Sequence, residues 1–117
     1  MKRVPGVRSL MLLVLGAAML FLVSNFAWSA DSPGETTFKA KCVLCHGADG
    51  TGNTPLGKQL QAANLHSPDV QKRTNADLHK VVHDGQTNMP AFADQLSDQE
   101  ITQVIKYVRT FGKSAKK

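Results

Sequence analysis

Cys42-Val43-Leu44-Cys45-His46 is the stretch from which the rest of the chain is read. Two thiols three positions apart at the end of a helix lie on one face, and C-x-x-C followed by His is the spacing at which a haem is attached covalently. Each thiol adds across one vinyl group of the porphyrin, and His46 is pinned beneath the iron, where an imidazole nitrogen is a good axial ligand. The same residues also fit a dithiol redox pair, half a zinc site or a small structural disulfide. A redox pair of the thioredoxin kind belongs near a βαβ unit, and no alternating or β-branched run here is long enough to build the sheet. A zinc-binding interaction module would join Cys42 and Cys45 to His79-x-x-x-His83, across the 33 residues that separate Cys45 from His79.

Outward from this motif, the 117-residue chain holds one working domain. Residues 1–30 have the plan of a secretory signal: Lys2, Arg3 and Arg8 are the positive end, and Leu10 to Val23 is an uncharged apolar run. Ala27-x-Ser29 fits the small-residue rule for cleavage, whereas a cut after Ala30 places Trp28 unfavourably; retention as a membrane anchor is the alternative, since Leu10 to Trp28 nearly spans a bilayer. Either way residues 31–112 are expected outside the cytoplasm, in the periplasm or an equivalent exported compartment, followed by a basic tail, 113–117. So short a domain has little capacity to bury an apolar core without an internal staple, and a haem would supply one.

The formal charge of +5 overstates the domain's basicity, because three of the fourteen basic residues lie in the leader; eleven against nine acids leave +2. Nucleic-acid binding has no support from this balance, nor from any interleaving of aromatic and basic residues. Lys106, Arg109, Lys113, Lys116 and Lys117 make a local positive patch, read as a solvated tail or as a docking surface for an acidic redox partner.

Ser32-Pro33-Gly34-Glu35 carries an N-cap, a proline at the first helical position and the glutamate of a capping box, so a helix is expected from here. Gly34, Phe38, Cys42 and Cys45 then share one face, and Gly34 suggests a close helix crossing. Gly47 to Pro55 reads as loop, with Pro55, Leu56, Leu60 and Leu65 as candidates for the wall on the histidine side. Thr74 to Asp77 starts a short helix that Gly85 stops, with Leu78, Val81 and Val82 on its apolar side and His79 and His83 on a polar face; His66 is likewise read as solvated. Ser97 to Glu100 is a full capping box, and Ile101, Val104, Ile105, Val108 and Phe111 follow as one apolar stripe that Gly112 ends.

Met89 is the only methionine outside the leader, in a glycine- and proline-bounded loop, Gly85 to Phe92. The residue before a proline is biased to extended backbone, which aims its side chain away from the local chain. A haem iron held by His46 and Met89 is six-coordinate, with no open position for oxygen or substrate, and such a site passes electrons.

Together, Gly34-x-x-x-Phe38, Cys42-x-x-Cys45-His46-Gly47, Met89-Pro90-x-Phe92 and Leu96-Ser97-Asp98 leading to Tyr107 resemble the class I c-type cytochromes, small single-haem bacterial electron carriers, from Ser32 to Gly112. The resemblance implies an all-α fold of three main helices around one covalent haem c, with the N- and C-terminal helices crossing. It implies thioether bonds at Cys42 and Cys45, iron ligation by His46 and Met89, and an exposed haem edge for electron exchange. In many such proteins a proline carbonyl near the histidine ligand accepts its ring hydrogen bond, and Pro55 is the candidate for that contact here. The function implied is electron transfer between a donor complex and an oxidase or reductase of a respiratory chain, without enzymatic turnover. A haem sensor or peroxidase is the alternative should Met89 not ligate.

Overall fold

Ser32-Pro33, Thr54-Pro55 and Ser67-Pro68 each open a helix. In all three the hydroxyl accepts the N–H of the third residue on, Glu35 at 3.2 Å, Gly57 at 2.8 Å and Val70 at 3.4 Å. Proline fills the first helical position, where its missing N–H costs nothing. The structure, a computed structural model, describes Gly6 and residues 29–114, and contacts divide the chain into two units, 1–30 and 31–117. The apolar leader, its cleavage site and the anchor alternative lie outside the described residues, as do Lys116 and Lys117. No helix among the described residues is long and apolar enough to cross a membrane.

The second unit contains α1 (Pro33–Lys41), α2 (Val43–His46), α3 (Pro55–Leu60), α4 (Pro68–Gln71), α5 (Asn75–Asp84) and α6 (Asp98–Ser114). Among the described residues there is no strand, only an isolated antiparallel bridge between Gln86 and Met89, so the fold is all-α as expected. The three long helices are α1, α5 and α6, and α1 and α5 both pack on α6.

The first and last helices cross at Gly34. A Cβ there would overlap the backbone carbonyl of Gln103, so the two backbones touch as only glycine allows. One turn on, Phe38 is fully buried, its ring centroid 5.2 Å from Tyr107 and 5.4 Å from Phe111, both tilted as aromatic pairs prefer. The α6 stripe divides between two apolar clusters. Val104 and Phe111 join Phe38 and Leu65, while Ile101 and Ile105 join Leu78, Phe92 and Leu96. Each such side chain withdrawn from water contributes about 1.5–3 kcal/mol.

Several local expectations are corrected. The expected first helix is interrupted at Cys42, where φ is −113°, although Cys42 still donates its N–H to Phe38 and His46 donates to Cys42. Glu35 caps nothing: its carboxylate pairs with Lys39 at 2.9 Å, one turn along. Gly112 does not end α6, which runs to Ser114, and the side chain of Gln71 packs where a Cβ at Gly112 would lie. His66 is not simply solvated, since its ring lies 5.2 Å from that of Phe111, with Nδ1 3.0 Å from the Phe111 carbonyl and Nε2 2.6 Å from that of Asp49. Nor is Arg109 part of a solvated patch. Its guanidinium donates to the carbonyls of Gln71 (2.9 Å) and Arg73 (2.6 Å) and to Asn75 Oδ1 (3.0 and 2.8 Å), so α6 holds the α4–α5 connection through one planar fork.

Gly34→Ala is therefore expected to cost about 1–3 kcal/mol by forcing α1 away from α6, measured by denaturant unfolding. Glu100 accepts the Ser97 N–H at 2.8 Å and its hydroxyl at 2.8 Å, which hold its carboxyl below the ordinary glutamate range. A depressed carboxylate contributes stability above its ordinary pKa and loses it as pH falls through the folded value. The stability difference between wild type and Glu100→Gln should thus be present at neutral pH and shrink on acidification, read by unfolding across the acid range.

Candidate functional site

Helix α2 carries Cys45 and His46 in a single turn with Cys42 as its N-cap, and its position is set from both sides. Upstream it follows α1, which the Gly34 crossing anchors. Downstream, Thr54 Oγ1 donates to the carbonyls of Leu44 (2.8 Å) and Cys45 (3.1 Å) while capping α3. Gly57 in α3 sits against the Cys45 and Gly52 carbonyls, where any Cβ would overlap them. The end of α2 is thereby packed under a second short helix rather than left free.

Above this turn lies a cavity of about 590 Å³, in the range of small-molecule and cofactor sites. Cys42, Cys45, His46 and Met89 all line it, and both apolar clusters contribute walls through Phe38, Val104, Leu78, Phe92 and Ile105. Leu60 and Leu65 line it as expected, whereas Pro55 and Leu56 do not; Val81 and Val82 on α5 form part of the far wall. Lys41, Asp69 and Arg73 are its charged lining residues, and Arg73 donates to Gln86 Oε1 at 3.3 Å.

The histidine's outer partner differs from expectation. Nδ1 of His46 lies 3.0 Å from the carbonyl of Ala63, not of Pro55, which is spent as the first residue of α3. The carbonyl requires an N–H at Nδ1, so the neutral ring keeps Nε2 free as a ligand; such an outer partner also fixes ring orientation. The side chains of Ala62 and Ala63 carry no signal that marks this role. It emerges when the chain leaving α3 is folded back past α2, with Leu65 N bonded to Gly50 O at 2.7 Å.

Cys42 and Cys45 are free and half-buried. Burial, and secondarily the neighbouring Cys45, pushes the Cys42 thiol up to about 11. A dithiol redox pair needs the opposite, a depressed pKa that supplies thiolate at neutral pH. The zinc constellation is not assembled either. His79 and His83 stack at 6.0 Å on α5, away from the cavity lining, His79 Nε2 3.3 Å from Asp98 and His83 Nδ1 2.6 Å from Asp84. Among the described residues no three His, Cys, Asp or Glu side chains form a metal-holding group. A porphyrin is a better match to what is here: a large, mostly apolar cavity with two thiols, an oriented imidazole and a thioether on its lining.

Comparison with known proteins agrees. The family described as "Cytochrome C oxidase, cbb3-type, subunit III" matches residues 29–108. A protein named cytochrome c6-like from Nostoc sp. is 33% identical over 93 residues, covering 76% of this chain and 81% of its own. A protein named dihydro-heme d1 dehydrogenase from Pseudomonas aeruginosa is 28% identical over 100 residues, 81% of this chain but 18% of its own. Among solved structures, the KustC0563 c-type cytochrome superposes with a TM-score of 0.62 at 28% identity, covering 67% of this chain and 95% of that one.

Because Arg109 fixes the segment that carries Arg73 and Val70 on the cavity lining, Arg109→Lys is expected to cost about 1–3 kcal/mol in stability. A lysine cannot reproduce the fork of donors to three groups. Thermal unfolding of the variant checks this.

Proposed function

The chain belongs to the c-type cytochrome family matched by the cbb3-type oxidase subunit III description and carries covalently bound haem c; from that premise we propose that it is a single-haem electron carrier in which His46 and Met89 are the axial ligands. Cys42 and Cys45 hold the porphyrin through thioethers. The observation that carries the reading is that all four residues line one cavity, although Met89 is 43 positions beyond His46 in sequence. When bound, the haem supplies a one-electron ferric–ferrous couple.

The chain's own residues do the rest. The Ala63 carbonyl accepts a hydrogen bond from Nδ1–H of His46 and so presents Nε2 for ligation. Met89 is half-buried against the cluster of Leu78, Phe92, Leu96, Ile101 and Ile105, which keeps water from the thioether side. A thioether as second axial ligand raises the reduction potential and leaves no position for substrate, so the protein relays electrons rather than turning over a chemical substrate. Donor and acceptor are redox proteins, a donor complex on one side and an oxidase or reductase on the other. The N-terminal segment directs the domain out of the cytoplasm, where it acts in the periplasm or an equivalent compartment, freed by cleavage or held by the uncut leader.

Met89→Ala should retain attached haem, lower the potential and let the reduced protein bind carbon monoxide, which the wild type does not; His46→Ala should yield little mature, folded protein. Visible spectra and redox titration of the purified variants check this. A Met89→Ala protein with unchanged potential would remove that residue from the axial role.

A further inference from the structure

Met89 is presented by a tight turn of unusual composition. Gln86 and Met89 exchange both backbone hydrogen bonds, 2.7 Å from Met89 N to Gln86 O and 3.0 Å from Gln86 N to Met89 O, leaving Thr87 and Asn88 as the two central residues. The two-residue turns that most often close a bridge have positive φ at the first central position, where glycine or asparagine is the ordinary occupant. Here it is a β-branched residue: Thr87 has φ +48°. Among the described residues Gln61 is the only other non-glycine at positive φ, and it is the left-handed cap that ends α3. A β-branched side chain in this region is strained, and such strain persists only where the surroundings hold it.

The surroundings are identifiable. Upstream the chain is fixed at Gly85, whose N–H bonds to Val81 O at 3.0 Å; downstream Phe92 and Ala93 donate to Val82 O (3.0 Å) and His83 O (3.2 Å). Within the span between them, Asn88 Nδ2 donates to the carbonyl of Leu60 at 3.1 Å, tying the turn to the last residue of α3. Leu60, Thr87, Asn88 and Met89 all line the cavity, so this bond joins the segment bearing the thioether to the helix packed against the cysteine motif.

Resting on the reading of Met89 as an axial ligand, we infer that Thr87 and Asn88 are positioning residues that set, in opposite senses, how firmly Met89 is held at the iron. Strain at Thr87 favours the turn opening and the sulphur leaving. The Asn88–Leu60 bond, which breaks when the turn swings out, favours retention. The balance between them determines how readily a small external ligand competes with the methionine.

The test is an imidazole titration of the ferric holoprotein, following loss of the sulphur-to-iron charge-transfer band. Thr87→Gly relieves the strain and should weaken apparent imidazole affinity about tenfold. Asn88→Ala removes the restraint and should strengthen it about fivefold. Thr87→Ala, which loses the hydroxyl but keeps Cβ, should fall between wild type and the glycine variant. Met89→Ala is the control. If it keeps the band, the ligation reading fails and this inference with it. If it loses the band while Thr87→Gly and Asn88→Ala bind imidazole as the wild type does, the positioning role is overturned and ligation by Met89 stands. A change in thermal unfolding with imidazole affinity unmoved would likewise reduce both residues to structural ones.

Discussion

Where Gly34 meets Gln103 and Val104, the backbone of α1 rests on that of α6 with no side chain between them. Everything that builds the cavity refers back to this contact. It lets Phe38 sink between Tyr107 and Phe111, it orients the end of α1 from which Cys42 and Cys45 follow, and it leaves the remainder of the α6 stripe, Ile101 and Ile105, to form the opposite cluster with Leu78 and Phe92. A larger residue at position 34 would separate the helix that leads into the attachment motif from the helix that furnishes the walls.

The domain then uses short helices where a larger protein would use a second layer. With so few residues, α3 and α4 have little apolar surface of their own, and their places are set by polar contacts: Thr54 on the Leu44 and Cys45 carbonyls, Gln71 on the Leu65 and Val108 carbonyls, and Arg109 across the α4–α5 connection. These bonds position cavity-lining segments, so the polar periphery and the cofactor site are parts of one construction. A covalently bound porphyrin completes the apolar centre that so short a chain lacks.

Much was legible from local signals. The covalent haem followed from the pattern at 42–46, the last helix from its capping box and stripe, and the close crossing from a glycine one turn before a buried phenylalanine. Two of the three Ser/Thr-Pro starts, Thr54-Pro55 and Ser67-Pro68, carry the same signal as Ser32-Pro33 but were not read as helix starts, because a cap with only four to six helical residues behind it has no periodicity to support it. His66 and Arg109 were misread as solvated because polar side chains announce no partner when the partner is a backbone carbonyl tens of residues away.

By itself, the sequence determined the helical class and the chemistry of the cofactor, because these depend on residue type and on spacings within a turn or two. Only the tertiary structure decided that the Ala63 rather than the Pro55 carbonyl accepts the His46 hydrogen bond, that Thr87 takes a left-handed conformation beside Met89, and that Asn88 reaches Leu60. Those contacts arise between segments far apart in sequence, through backbone groups that every residue carries, so no side-chain pattern could encode them before the chain had folded.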